Sequence, residues 1–152
     1  MTAVLKAPRA ERGAAQGAAG LPGPPGLRVL VVDDNDCCAD CLAVLLRRQG
    51  HAPQVAYDGP RALAAALRFR PEVVLSDLRL PGLSGFELAR RLRREPGLQS
   101  AFLVALTGWE EGEGRRLALE AGFDAYLTKP VPFAAVQELL GQVARESAAR
   151  DS

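Results

Sequence analysis

Residues 28–35 read RVLVVDDN, an apolar run that ends abruptly in two adjacent acids. A strand with one wet face alternates apolar and polar residues, whereas a strand apolar at both parities is covered on both faces, as in a parallel sheet. Val29, Leu30, Val31 and Val32 are of the second kind. Successive side chains of a strand point to opposite faces, so Asp33 and Asp34 can share a pocket only if the strand stops at Val32 and the backbone turns.

Outward from this run, short apolar stretches alternate with longer stretches of helical period, and five such cycles fit between Leu27 and Ser152. The pattern predicts strands over 28–32, 54–56, 72–76, 101–106 and 124–128. It predicts a first helix near 36–49 that stops at Gly50, a natural left-handed terminus. The second helix places Pro60 at its first position and Leu63 and Leu67 on one face. Ser84 and Glu87 form a capping box for the third helix, which runs to about Arg94. Gly112 and Gly114 each weaken the fourth helix, near 110–121, by about 1 kcal/mol relative to Ala, so its first turn should be loose. Phe133, Val136, Leu140 and Val143 line one face of the last. Strands alternating with helices imply an open, doubly wound α/β sheet with right-handed crossovers.

Residues 1–26, rich in Ala, Gly and Pro, have too little apolar surface to offset the entropy of ordering and read as a disordered tail. Residues 27–148 read as one domain and 149–152 as a C-terminal tail. The net charge is +1, and residues 1–26 carry Lys6, Arg9 and Arg12 against Glu11, leaving about −1 for the rest. No basic field draws nucleic acid or anionic lipid, and no apolar run reaches the ~20 residues of a membrane helix. A cytoplasmic protein is expected. Cys37, Cys38 and Cys41 are too few and too close to staple a secreted fold; they read as thiols that pack the first helix against the sheet, a redox or soft-metal role being the lesser reading. His51 reads as a connector residue, and the RRLRR run at 90–94 as a solvated helix end.

In open α/β sheets ligands bind beyond the carboxyl ends of the strands. Four of the five predicted strands end in polar residues: Asp33 and Asp34, Asp77, Thr107 and Lys129. Two carboxylates about 4 Å apart repel by roughly 4 kcal/mol at an effective dielectric of 20, and a third adds to this. A cation must compensate. Mg²⁺ suits oxygen donors of this kind, because it takes one or two carboxylates, keeps waters and admits a phosphoryl oxygen. Lys129 supplies a second positive charge.

These residues carry a resemblance. From Leu27 to about Ala148 the chain resembles the receiver domains of bacterial response regulators: VLVVDDN resembles their acidic pair, VVLSDLRLPGLSGFEL their acceptor strand and loop, VALTG their switch threonine, and AGFDAYLTKPV their lysine–proline segment. The resemblance implies a flavodoxin-like (βα)5 fold with strand order 2-1-3-4-5. It implies that Asp77 accepts a phosphoryl group from a phosphohistidine of a sensor histidine kinase or histidine phosphotransfer protein. Mg²⁺ would be held by Asp34 directly, Asp33 largely through water, Asp77 and the main-chain carbonyl of Arg79. Thr107 and Lys129 would contact the phosphoryl oxygens, Lys129–Pro130 would be cis, and Tyr126 would be the switching aromatic on the face made by the fourth helix, fifth strand and fifth helix. Arg79 and Trp109, each two residues beyond a site residue, would border the path of attacking water.

The chain then reads as a single-domain receiver that acts on an unknown downstream protein. It is not an enzyme beyond its own phosphorylation and dephosphorylation at Asp77. The ALTG and AGFDAYLTKPV segments also resemble receivers fused to hybrid kinases, which fits a phosphorelay. A haloacid-dehalogenase-like Mg²⁺-dependent phosphatase is the alternative, but those enzymes place a D-x-D pair where this chain has adjacent aspartates. A flavodoxin-like redox module would need a Ser/Thr/Gly-rich phosphate loop where this chain has DDNDCC.

Overall fold

A computed structural model describes residues 4–5, 26–108 and 113–151. Five parallel strands, β1 (Arg28–Val32), β2 (Ala52–Ala56), β3 (Val73–Asp77), β4 (Phe102–Thr107) and β5 (Ala125–Thr128), pair in the order 2-1-3-4-5. Helices α1 (Asp36–Arg48), α2 (Gly59–Phe69), α3 (Gly85–Arg94), α4 (Glu113–Ala121) and α5 (Phe133–Asp151) follow them in turn. The doubly wound α/β fold is as expected. Alternation along each strand divides the interior in two. Leu30, Val32, Val74, Leu103 and Ala105 join the side covered by α2, α3 and α4, while Val29, Val31, Leu75, Val104 and Leu106 join the side covered by α1 and α5.

Several boundaries differ from expectation for identifiable reasons. The second strand starts two residues early, at Ala52, and includes Pro53, which its place at the sheet edge tolerates. Leu63 is only partly buried and Leu67 is exposed; α2 turns Ala62, Ala65 and Ala66 inward instead, where small side chains let the helix lie close to its neighbours. Helix α4 begins at Glu113, with Gly114 in its first turn, and Gly112 lies outside the described residues. The last helix continues to Asp151, through the tail expected at 149–152. Within the expected 1–26 tail, Val4–Leu5 forms a short strand antiparallel to β5, Val4 opposite Tyr126 and Leu5 opposite Ala125. The outer edge of β5 otherwise leaves backbone donors and acceptors without strand partners, which an extended segment satisfies.

Helix α1 corrects the reading of the cysteines. Its buried face is Ala39, Ala43 and Leu46, and Cys37, Cys38 and Cys41 are exposed. They lie about 100° or more around the helix from that face, because 3.6 residues complete a turn.

The RRLRR reading is also corrected, at Arg93. The Arg93 guanidinium donates to the carbonyls of Gly122, Gln99 and Ala101 and to Asp124 Oδ2, the last at 2.6 Å. Asp124 Oδ2 also accepts from the amide of Leu103 at 2.9 Å, so one ion pair ties α3 to the entries of β4 and β5.

His51 is the connector expected of it: its Nδ1 accepts a hydrogen bond from the amide of Leu27 at 3.0 Å. Burial pushes its pKa below 6.5, against a smaller opposing pull from Glu72. A folded-state pKa below the unfolded one contributes stability above pH 6.5 that is lost as pH falls through the folded value. Thermal melts between about pH 7.5 and about pH 5 should therefore fall more steeply for the parent than for His51→Gln, and parallel slopes would refute the assignment.

Candidate functional site

The site is built where the strands stop. Strand β1 ends at Val32, and the backbone turns through Asp33 and Asp34 into Asn35, the N-cap of α1, whose side chain accepts from the Cys38 amide at 3.1 Å. Asp33 is buried and Asp34 exposed, so the turn separates the adjacent acids by environment. Asp33 Oδ1 accepts from the Asn35 amide at 3.0 Å, which holds the carboxylate against the turn.

Asp77 is the last residue of β3, its side chain 14% exposed. Each of Asp33, Asp34 and Asp77 offers a carboxylate oxygen within 4.8 Å of the others. Three negative charges this close oppose folding unless a cation answers them. Lys129 does so: its Nζ lies 3.2 Å from Asp33 Oδ2 and 3.2 Å from Asp77 Oδ2. Partial burial alone would lower the Lys129 pKa, but the charges of Asp77 and Asp33 and their hydrogen bonds outweigh it and hold it above 10.5. The lysine is therefore a fixed ammonium at physiological pH. Its backbone amide donates to the Thr107 carbonyl at 2.7 Å, which registers the β5 end against the β4 end, and Lys129–Pro130 is cis.

A cleft of about 480 Å³ opens over these groups, lined by Asp34, Asp77, Arg79, Thr107 and Lys129. Helix α3 follows the loop beyond Asp77 and braces it from behind. Ser84 caps that helix by accepting from the Glu87 amide at 3.2 Å, while the Glu87 carboxylate engages Arg90 and Arg91. Gly85 then rests on the end of β3: a Cβ there would sit 2.3 Å from the Asp77 carbonyl oxygen and 2.8 Å from Leu78 Cα. Gly85→Ala is expected to cost about 1–3 kcal/mol as the backbone of Asp77 gives way, read as a lower urea midpoint. An unchanged midpoint would show that the contact yields freely.

Thus Asp33, Asp34, Asp77, Arg79, Thr107 and Lys129 come together. Tyr126 stands apart, 5% exposed in the core, with the Arg115 guanidinium 5.6 Å from its ring centroid. Trp109 lies outside the described residues. Arg115 was not legible as a partner of Tyr126, since nothing in local sequence links α4 to a side chain of β5. The cradle from Gly85 was likewise missed, although a glycine directly after an N-cap serine was a visible signal.

Comparison with known proteins agrees with this architecture. Residues 29–141 match the model of the response regulator receiver domain. The chain belongs to that family. Over 103 residues this receiver domain is 41% identical to the DNA-binding response regulator MtrA of Mycobacterium tuberculosis, covering 68% of this chain and 44% of MtrA. The chain thus spans less than half the length of such relatives. The receiver domain of the sensor histidine kinase PA1611 from Pseudomonas aeruginosa, solved with a magnesium ion coordinated in its active-site cleft, is 31% identical with a TM-score of 0.72, covering 78% of this chain and 98% of that one. The receiver domain of yeast Ssk1, solved with the histidine phosphotransfer protein Ypd1, is 28% identical with a TM-score of 0.73, covering 80% and 91%. Receiver domains are the signalling domains of two-component systems rather than classical enzymes, and they pair with histidine kinases or phosphotransfer proteins. The phosphatase alternative is not favoured. Among the described residues no helix is long and apolar enough to cross a membrane.

Proposed function

We propose that this receiver domain takes a phosphoryl group onto Asp77 from a phosphohistidine of a sensor kinase or phosphotransfer protein, in the cytoplasm. The observation that carries the reading is Lys129 bridging Asp33 and Asp77 at 3.2 Å beside a third carboxylate. An Asp77 carboxylate oxygen attacks the phosphorus; the O–P bond forms as the P–N bond breaks, and that electron pair stays on the donor imidazole. Such a transfer is governed by positioning and by neutralising oxygen charge.

The donor set fits a hard divalent cation, because the clustered carboxylates repel one another and Asp34 faces solvent. Asp34, Asp77 and the Arg79 carbonyl would hold Mg²⁺, with Asp33 acting largely through water since Asn35 and Lys129 already engage its oxygens. Bound there, the ion would neutralise developing charge on the phosphoryl oxygens. Lys129 leaves its carboxylates to pair with one phosphoryl oxygen, and Thr107 donates its hydroxyl to another. Movement of Thr107 frees space for the Tyr126 ring, which remodels the face formed by α4, β5 and α5 toward a downstream protein. The inward ring packed under Arg115 is the starting state of that change.

Incubation with acetyl phosphate and Mg²⁺ should give one base-labile phosphoryl adduct, seen by intact mass and absent from Asp77→Asn. Equal labelling of the variant would end the reading. The same assay with a panel of phosphorylated kinases and phosphotransfer proteins identifies the donor. Arg79→Ala should change the lifetime of the adduct, and an unchanged decay rate would remove Arg79 from the water path.

A further inference from the structure

All three cysteines of the chain stand on the exposed first turns of α1. Cysteine is among the most buried residue types, and exposed thiols are the ones open to chemistry. Two of the three, Cys38 and Cys41, also line a second groove of about 640 Å³ whose opposite wall is Lys129, Pro130 and Phe133. Asp33 and Lys129 therefore belong both to the acceptor cluster and to the thiol groove. Cys37 does not line it. The groove is mostly apolar, with Leu45 at its rim 36% exposed, and its volume lies in the range that holds a small organic molecule.

We propose that Cys38 and Cys41 are a thiol-modification site that controls access of protein phosphodonors to Asp77. The reaction is exchange with a low-molecular-weight disulfide. The cysteine thiolate attacks one sulfur of that disulfide, a new S–S bond forms as the old one breaks, and the other half departs as a thiolate. The cysteine sulfur is oxidised, the departing sulfur is reduced, and a thiol reductant reverses the step. A mixed disulfide suits this helix better than a Cys38–Cys41 bridge. Helical neighbours three apart hold their Cβ atoms about 5–6 Å from each other, whereas a disulfide brings them to about 3.5–4.5 Å. The adduct fills the groove beside Lys129, whose Nζ lies 3.2 Å from Asp77 Oδ2, and so stands in the way of a protein docked over that carboxylate. A small donor enters instead through the adjoining cleft over Asp34, Asp77 and Thr107, which shares only Lys129 with the groove.

This inference rests on the phosphoacceptor reading, and its test separates the two. The chain is treated with glutathione disulfide, and adducts are mapped by peptide mass spectrometry. Phosphorylation is then followed with acetyl phosphate and with the phosphorylated phosphotransfer protein that labels the untreated chain fastest. Adducts on Cys38 or Cys41 should slow transfer from the protein donor by about tenfold or more, as expected for an obstruction at the centre of an interface. Labelling by acetyl phosphate should persist, and dithiothreitol should restore the protein donor. Cys38→Ser/Cys41→Ser should be insensitive to treatment, and Cys37→Ser as sensitive as the parent. Absence of adducts at both positions, or adducts with unchanged transfer from the protein donor, would overturn the inference. An untreated chain that no donor labels would instead overturn the phosphoacceptor reading, while the adduct map would still decide whether the thiols form the site.

Discussion

Lys129→Ala is expected to slow phosphorylation of Asp77 by acetyl phosphate about 10²–10³-fold, the usual loss when one preorganised charge partner of a reacting oxygen is removed. The reason is visible in the resting site. The ammonium sits 3.2 Å from both Asp33 and Asp77, its pKa raised by them, so it is already charged and held in place where phosphoryl oxygens would come. A second readout separates this from mere structural damage. Without the lysine the three carboxylates face one another uncompensated, so Mg²⁺ should raise the melting temperature of Lys129→Ala more than that of the parent. A variant that labels at the parent rate, or an equal Mg²⁺ shift in both, would deny Lys129 this role. The lysine's own contribution to stability is full below about pH 10.5 and is lost only as pH rises through its raised folded-state value.

Arg93→Ala is expected to destabilise the fold by about 3–5 kcal/mol, the range found when one partner of a buried ion pair is deleted. Arg93 and Asp124 have side chains only 15% and 3% exposed, and their contact is 2.6 Å. Deleting the guanidinium leaves Asp124 charged in a buried place and removes the donors to three backbone carbonyls. For a chain of this length such a loss lowers the melting temperature by about 10 °C or more. Arg93→Lys should recover little of it, because a compact ammonium cannot reproduce the planar fork. A loss below about 1 kcal/mol would show the pair to be no stronger than a surface contact.

The contrast between these residues shows what could be read in advance. Lys129 was legible because it follows an apolar strand, and strand ends of a parallel sheet converge by topology alone. Arg93 was not, since in the run RRLRR the helical period gives Arg91 and Arg93 equal standing beside the apolar face. Only the packing of α3 against the β4 and β5 entries selects Arg93. The cysteines failed for a related reason: their type argued for burial, while helical phase, set by Ala39, Ala43 and Leu46, turned them outward. Leu67 lost its expected place to alanines in the same way.

Local chemistry by itself determined the alternating strands and helices, the parallel sheet, the cap at Ser84, and the meeting of Asp33, Asp34, Asp77, Thr107 and Lys129 at one edge. Period, capping and the carboxyl-end rule are properties of short stretches and of chirality. Tertiary structure alone decided that Lys129 bridges two aspartates, that Arg93 is sunk against Asp124, that Val4–Leu5 covers the β5 edge, and that two thiols share a groove with Lys129. Each of these joins residues far apart in the chain. Their distance depends on how helices and strands are placed against one another, which no local pattern encodes.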